Sequence, residues 1–165
     1  MSNIAAARPA GSAWLERYDA LCAWLSLLPL GLLTFMFRLG IARDFFASGL
    51  TKIDGWNVFN TWEVTPSTVV LFAQIYQVPL LPPAFAANLA ALVELTCPVL
   101  LAFGLLSRLA ALPMLGMAVV IQVFVLPESW STHIVWMAIL LLVITRGPGG
   151  FSLDYLIRRF YFKQD

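Results

Sequence analysis

Residues 84–106, AFAANLAALVELTCPVLLAFGLL, and residues 109–126, LAALPMLGMAVVIQVFVL, are separated only by Ser107 and Arg108. The first run carries a single charge, Glu94; the second carries none and has Gln122 as its one amide. A helix needs about 20 mostly apolar residues to cross roughly 30 Å of hydrocarbon, and the first run reaches about 35 Å. A link this short makes the two helices antiparallel neighbours. Working outward, residues 27–50 reach about 36 Å and are apolar apart from Arg38, Arg43 and Asp44. Beyond a tight turn at 127–129, residues 129–146 supply one more crossing. The fold expected is an all-α membrane protein, a four-transmembrane-helix antiparallel bundle at 27–50, 84–106, 109–126 and 129–146 with an outer loop at 51–83. Composition agrees: 61% of residues are hydrophobic and 12% charged, against about 45–50% and 25% in soluble domains. Disorder and a soluble disulfide scaffold are excluded, and a net charge of +1 gives no general attraction to nucleic acid.

The flanks read as interfacial helices. In residues 1–26, Trp14, Leu15, Tyr18, Leu21, Cys22 and Leu25 recur at helical spacing, with Ser12 placed as an N-cap. Glu16, Arg17 and Asp19 break any continuous apolar core there, so this is not a cleaved signal peptide. In residues 147–165, Gly147 and Gly150 stop the last crossing and Ser152 can cap a helix. Leu153, Leu156, Ile157 and Phe160 form its apolar stripe, and Arg158, Arg159 and Lys163 face anionic head groups. Plain anchoring on the lipid bilayer accounts for both flanks. The loop 51–83 is aromatic, with Trp56, Phe59, Trp62, Phe72 and Tyr76. Thr65–Pro66 opens a short helix in it, and the whole loop is expected to pack on the bundle mouth as a lid. Arg8, Arg17, Arg108, Arg146, Arg158, Arg159 and Lys163 fall on one side of the membrane and Lys52 on the other. That bias predicts a multi-pass inner-membrane protein with both termini cytoplasmic.

Charges inside a bilayer cost roughly 2.5–3.5 kcal/mol each, so each needs a reason. Arg38 and Glu94 fall at similar depth on antiparallel neighbours and are expected to form a structural ion pair, with a proton relay or ligand anchor as the alternative. Arg43, Asp44, Gln122 and His133 all fall in the outer half of the bundle. They form a candidate ligand-binding cluster roofed by the aromatic loop, with Trp56, Trp62 and Trp136 available to stack. The alternative is that each merely bonds one helix to another. His133 is the only histidine, and no second His or nearby Cys accompanies it, so no metal site is expected. Cys22 and Cys97 lie at different depths and form no C-x-x-C, which disfavours a thiol oxidase working through paired cysteines. Gly31, Gly40 and Gly116 leave room for a homodimer.

Four patterns occur in order along the chain. Arg38, Phe45, Gly49 and Lys52 give R-x6-F-x3-G-x2-K. Glu94 precedes Cys97–Pro98, Gly104 and the Ser107–Arg108 turn. Gln122, Phe124, Pro127, Trp130, His133 and Trp136 give Q-x-F-x2-P-x2-W-x2-H-x2-W. Gly147-Pro148-Gly149 is followed by Ser152-Leu153-Asp154. Together they resemble the DoxX family of small four-helix integral membrane proteins, most closely members encoded beside enzymes that modify metal-binding ribosomal peptides. The resemblance implies a link to quinone-dependent or thiol-redox membrane complexes. Two functions stay open. One is a redox-linked subunit that binds a quinone or similar ring in an outward-facing polar cavity, with Arg43, Gln122 and His133 donating hydrogen bonds and Asp44 or Glu94 carrying protons. The other is a non-enzymatic membrane partner or small transporter for a metal-binding peptide pathway, with a membrane or periplasmic protein as its partner.

Overall fold

The computed structural model describes residues 12–55 and 63–161. Helix α1 (Ser12–Leu25) leads through a 63° bend into α2 (Leu30–Leu50). The break falls at Pro29, which stands as the N-cap of α2; lacking an N–H, proline opens a helix more readily than it continues one. A two-residue antiparallel ladder pairs β1 (Ile53–Asp54) with β2 (Glu63–Val64) and was not anticipated from the sequence. Next come α3 (Pro66–Leu71), which runs into a π-helical turn at Phe72–Tyr76, and α4 (Pro83–Phe103). Then follow α5 (Ser107–Val120), ending in a second π-helical turn at Ile121–Val125, α6 (Trp130–Arg146) and α7 (Leu153–Tyr161). Thr65 caps α3 by accepting from Thr68 N at 3.2 Å, with Pro66 in the first turn. Trp56, Phe59 and Trp62 lie outside the described residues.

The chain is an all-α membrane protein in its make-up. Among the described residues, α4 and the continuous Ser107–Val125 are long and apolar enough to cross a bilayer, and α1 with α2 qualifies as one broken span. Helix α6 has 17 residues, about 26 Å, somewhat under the hydrocarbon thickness. Helix α2 packs on α4, α4 on α5, α5 on α6, and α6 back on α2. Contacts fix the directions. Arg38 meets Leu101 while Gly49 meets Glu94, so α2 and α4 are antiparallel. Gln122 meets His133 while Arg108 meets Thr145, so α5 and α6 are too. Between them Ile41, Phe45, Leu101, Met114, Leu140 and Val143 form the core.

The end of the bundle away from the 51–83 connection is tied by charge. Arg38 is fully buried; its Nη1 donates to the carbonyls of Leu101 (2.7 Å) and Ala102 (3.2 Å), and its Nη2 donates to Phe151 O. The first two belong to the last turn of α4, where the helix dipole is negative and carbonyls lack intrahelical donors. Asp154 does the converse for α5: Oδ1 accepts from Leu106 N at 2.8 Å, and Oδ2 accepts from Ser107 N at 3.0 Å and Ser107 Oγ at 2.9 Å. Gly104 makes the turn between them with φ +71°, and a Cβ there would come 2.6 Å from Arg38 Nη1. Thr34 Oγ1 and Asp154 N add bonds to Pro148 O and Gly104 O.

Arg38 therefore does not pair with Glu94. The two 21-residue helices are offset along their axes, so that Gly49 lies against Glu94 and Arg38 falls level with Leu101–Ala102, about 10 Å along α4 from Glu94.

Candidate functional site

At the opposite end, near the 51–83 connection, Gly49 lets α2 approach α4 so closely that a Cβ on it would lie 2.9 Å from Glu94 Cβ. That approach sets Lys52, just past the end of α2, over the Glu94 carboxylate. Lys52 Nζ lies 2.6 Å from Glu94 Oε2, and it donates to Ser48 Oγ (3.0 Å) and Ser48 O (3.3 Å). Ser48 Oγ in turn donates to Glu94 Oε1 at 3.3 Å. Lys52 and Glu94 are 7% and 3% exposed, so neither charge is viable here without the other. The Lys52 carbonyl also accepts from Thr65 N and Thr68 Oγ1, which fastens the connection to the end of α2.

Across the bundle, the π-helical turn at the end of α5, closed by Leu126 N donating to Ile121 O at 2.8 Å, carries the buried Gln122. Its Nε2 donates to Pro127 O at 2.8 Å, so its Oε1 faces His133 Nδ1 at 2.8 Å. An amide oxygen can only accept, so His133 carries its proton on Nδ1, and Nε2 has no protein partner among the described residues. Trp136 lies with its ring centroid 5.1 Å from His133 and 5.1 Å from Phe45, so the three rings brace one another.

The other π-helical turn closes the third side. Phe72 packs against Ala86, Ala87 and Ala90 of α4, and Tyr76 meets its ring edge-on at 5.0 Å. Burial holds the Tyr76 hydroxyl above the usual tyrosine range and the Glu94 charge pushes the same way, so it remains a proton donor. Between these walls lies a cavity of about 450 Å³ lined by Ser48, Lys52, Glu94, Tyr76, His133 and Trp136, with Leu89, Val93, Met117 and Val120 among its apolar surfaces. This size suits a small organic ligand. Both π-helical turns border it, a placement such turns often take at functional sites.

Of the residues singled out from sequence, Gln122, His133 and Trp136 converge: His133 and Trp136 line the cavity, while Gln122 orients His133. Arg43 and Asp44 do not join them. Their side chains lie 3.6 Å from each other and are 83% and 44% exposed. On α2 they fall about 155° and 105° round from the centre of the buried stripe. Trp56 and Trp62 lie outside the described residues. Sequence reasoning named Lys52 only for its motif and its side of the membrane and Tyr76 only as part of the aromatic loop, did not place Ser48 at the site, and gave Glu94 the wrong partner. The available signal was Lys52, the lone basic residue on its side of the bundle, one turn after Ser48. Among the described residues no group of three or more metal-ligating side chains gathers.

The DoxX family profile matches residues 33–127. An uncharacterized protein of Haemophilus influenzae is 30% identical over 147 residues, which covers 79% of this chain and 87% of that protein. No solved structure matches the chain. The matched segment takes in Arg38, Gly49, Lys52, Glu94 and Gln122 and more than half of the chain, which belongs to the DoxX family.

Proposed function

We propose that this DoxX protein is a redox-linked subunit of the inner membrane that holds a quinone-type ring in the cavity between α2, α4, α5 and α6. The observation that carries the reading is the cavity's division of labour: mostly apolar walls about 450 Å³ in extent, interrupted by Lys52–Glu94, Tyr76 and His133. A flat ring needs apolar faces and polar groups at its oxygens. Tyr76 offers a donor to a carbonyl. Nε2 of His133 offers an acceptor to a hydroxyl, and Glu94 a carboxylate within the same space. Electrons have to come from a partner protein. Both termini belong in the cytoplasm, because Arg108, Arg146, Arg158 and Arg159 gather at one end and Lys52 stands alone at the other. Lipid extraction and mass spectrometry of mildly solubilised protein, followed by titration with a short-chain quinone and its quinol, tests the assignment. Bound quinone, lost in His133→Phe, is the expected result; no quinone and no binding in titration overturns it.

A second reading, a non-enzymatic partner of another membrane subunit, is favoured by Arg43, whose guanidinium is 83% exposed on a helix that would otherwise face lipid. Loss of a co-purifying subunit in Arg43→Ala, with quinone binding retained, would support it.

A further inference from the structure

The end of the bundle tied by Arg38 and Asp154 carries a second recess, of about 550 Å³. It lies between the α4–α5 turn, the start of α5, the end of α6 and α7, and Arg108, Arg146 and Arg158 all line it. One carboxylate lines it as well, that of Asp154, and both of its oxygens are taken by Leu106 N, Ser107 N and Ser107 Oγ. Its field also reaches the buried Arg38. Among the described residues no carboxylate forms an ion pair with any of the three arginines. Arg108 has a single long contact, to Thr145 O at 3.5 Å.

Arg108 also sits in the first turn of α5, the end of a helix where a cation is disfavoured and an anion welcomed. The recess thus presents three guanidinium groups that pair with no carboxylate among the described residues. Gly147 and Gly149, with φ +86° and +83°, also line it, and Leu105, Leu106 and Leu109 give it apolar surface. Leu106 and Leu109 are exposed.

We infer that this recess is a site for the phosphate head group of an anionic phospholipid. The guanidinium groups match phosphate oxygens in pairs. The recess opens where α5 begins and α6 ends, at head-group depth for helices that cross. The leucine surface suits the first methylenes of an acyl chain and offers nothing to a free phosphate ion. This site is separate from the quinone cavity and does not depend on it.

Native mass spectrometry of the full chain, delipidated in mild detergent and then given phosphatidylglycerol, phosphatidylcholine or inorganic phosphate, decides the matter. One phosphatidylglycerol should be retained in preference to phosphatidylcholine, with inorganic phosphate a poor competitor. Arg108→Gln and Arg158→Gln should each weaken retention about tenfold, while Arg17→Gln on α1 leaves it unchanged. Arg158 is exposed and makes no hydrogen bond to the described residues, so its variant keeps the test decisive should Arg108→Gln unfold. Equal retention of the two lipids, efficient displacement by inorganic phosphate, or undiminished retention in both variants overturns the inference.

Discussion

The two ends of the bundle treat a buried cation in opposite ways. At one end Arg38 spends both terminal nitrogens on carbonyls of α4 and of the segment before α7, and Asp154 spends both oxygens on the start of α5. Both terminal nitrogens and both carboxylate oxygens are used, and Arg38 Nε is left buried without a partner among the described residues. At the other end Lys52 is held by one carboxylate and one serine, and the same charges border a cavity. The first arrangement closes a turn; the second leaves polar groups facing open volume. The sequence patterns that resemble the DoxX family divide between the ends, with Arg38, Gly104, Ser107 and Asp154 in the knot and Lys52, Glu94, Gln122, His133 and Trp136 around the cavity.

If the difference is real, substitutions at the knot should change stability and substitutions at the cavity should change ligand binding. Arg38→Met fills the volume but takes the guanidinium donors from the carbonyls of Leu101, Ala102 and Phe151, of which Leu101 O keeps Gly104 N. It should cost about 3–5 kcal/mol in unfolding free energy measured in detergent, the largest effect foreseen. Glu94→Leu strands Lys52 and should cost about 3 kcal/mol, but Lys52→Met with Glu94→Leu should recover most of that loss while quinone binding stays abolished. A double substitution no more stable than Glu94→Leu alone would show that the pair is not an isolated unit.

Gly104→Ala forces a side chain into the left-handed region and against Arg38. It should cost about 2 kcal/mol and leave ligand affinity alone. His133→Phe should do the reverse, weakening quinone or quinol binding tenfold or more, about 1.4 kcal/mol, with a smaller change in melting temperature. The smallest effect concerns Tyr76. Its folded-state ionisation lies above the free value of about 10, so an unfolded chain releases this proton first and stability falls as pH rises past that value. Tyr76→Phe should remove the highest-pH step from an ultraviolet phenolate titration and soften the alkaline loss.

How much of this was legible in the sequence follows from what each signal depends on. Helices α4 and α5 and the turn between them were readable because an apolar run and a two-residue link are local facts. The Thr65–Pro66 start of α3 was readable for the same reason. Pairing across helices was not. Arg38 and Glu94 looked level only if the ends of the two crossings were level. The helices are instead slid past one another, enough to change both partners. Gln122 and His133 stand either side of a short turn, so their meeting depends on little else. Arg43 and Asp44 failed because depth along a helix was weighed without the direction around it. Lys52 was read as a motif position and as the basic residue on its own side of the membrane, and not as a site residue, because it falls just beyond α2, where charge is ordinarily read as solvated.

The bond from Gln122 to the Pro127 carbonyl has a consequence for proton traffic. The imidazole of His133 is held on its Nδ1 side by an amide that hangs from the α5–α6 turn and has no proton to exchange through its oxygen. A proton taken up at Nε2 must leave by the same nitrogen unless the amide rotates or the turn shifts. For protons the ring is a berth beside the cavity, with no through-route behind it.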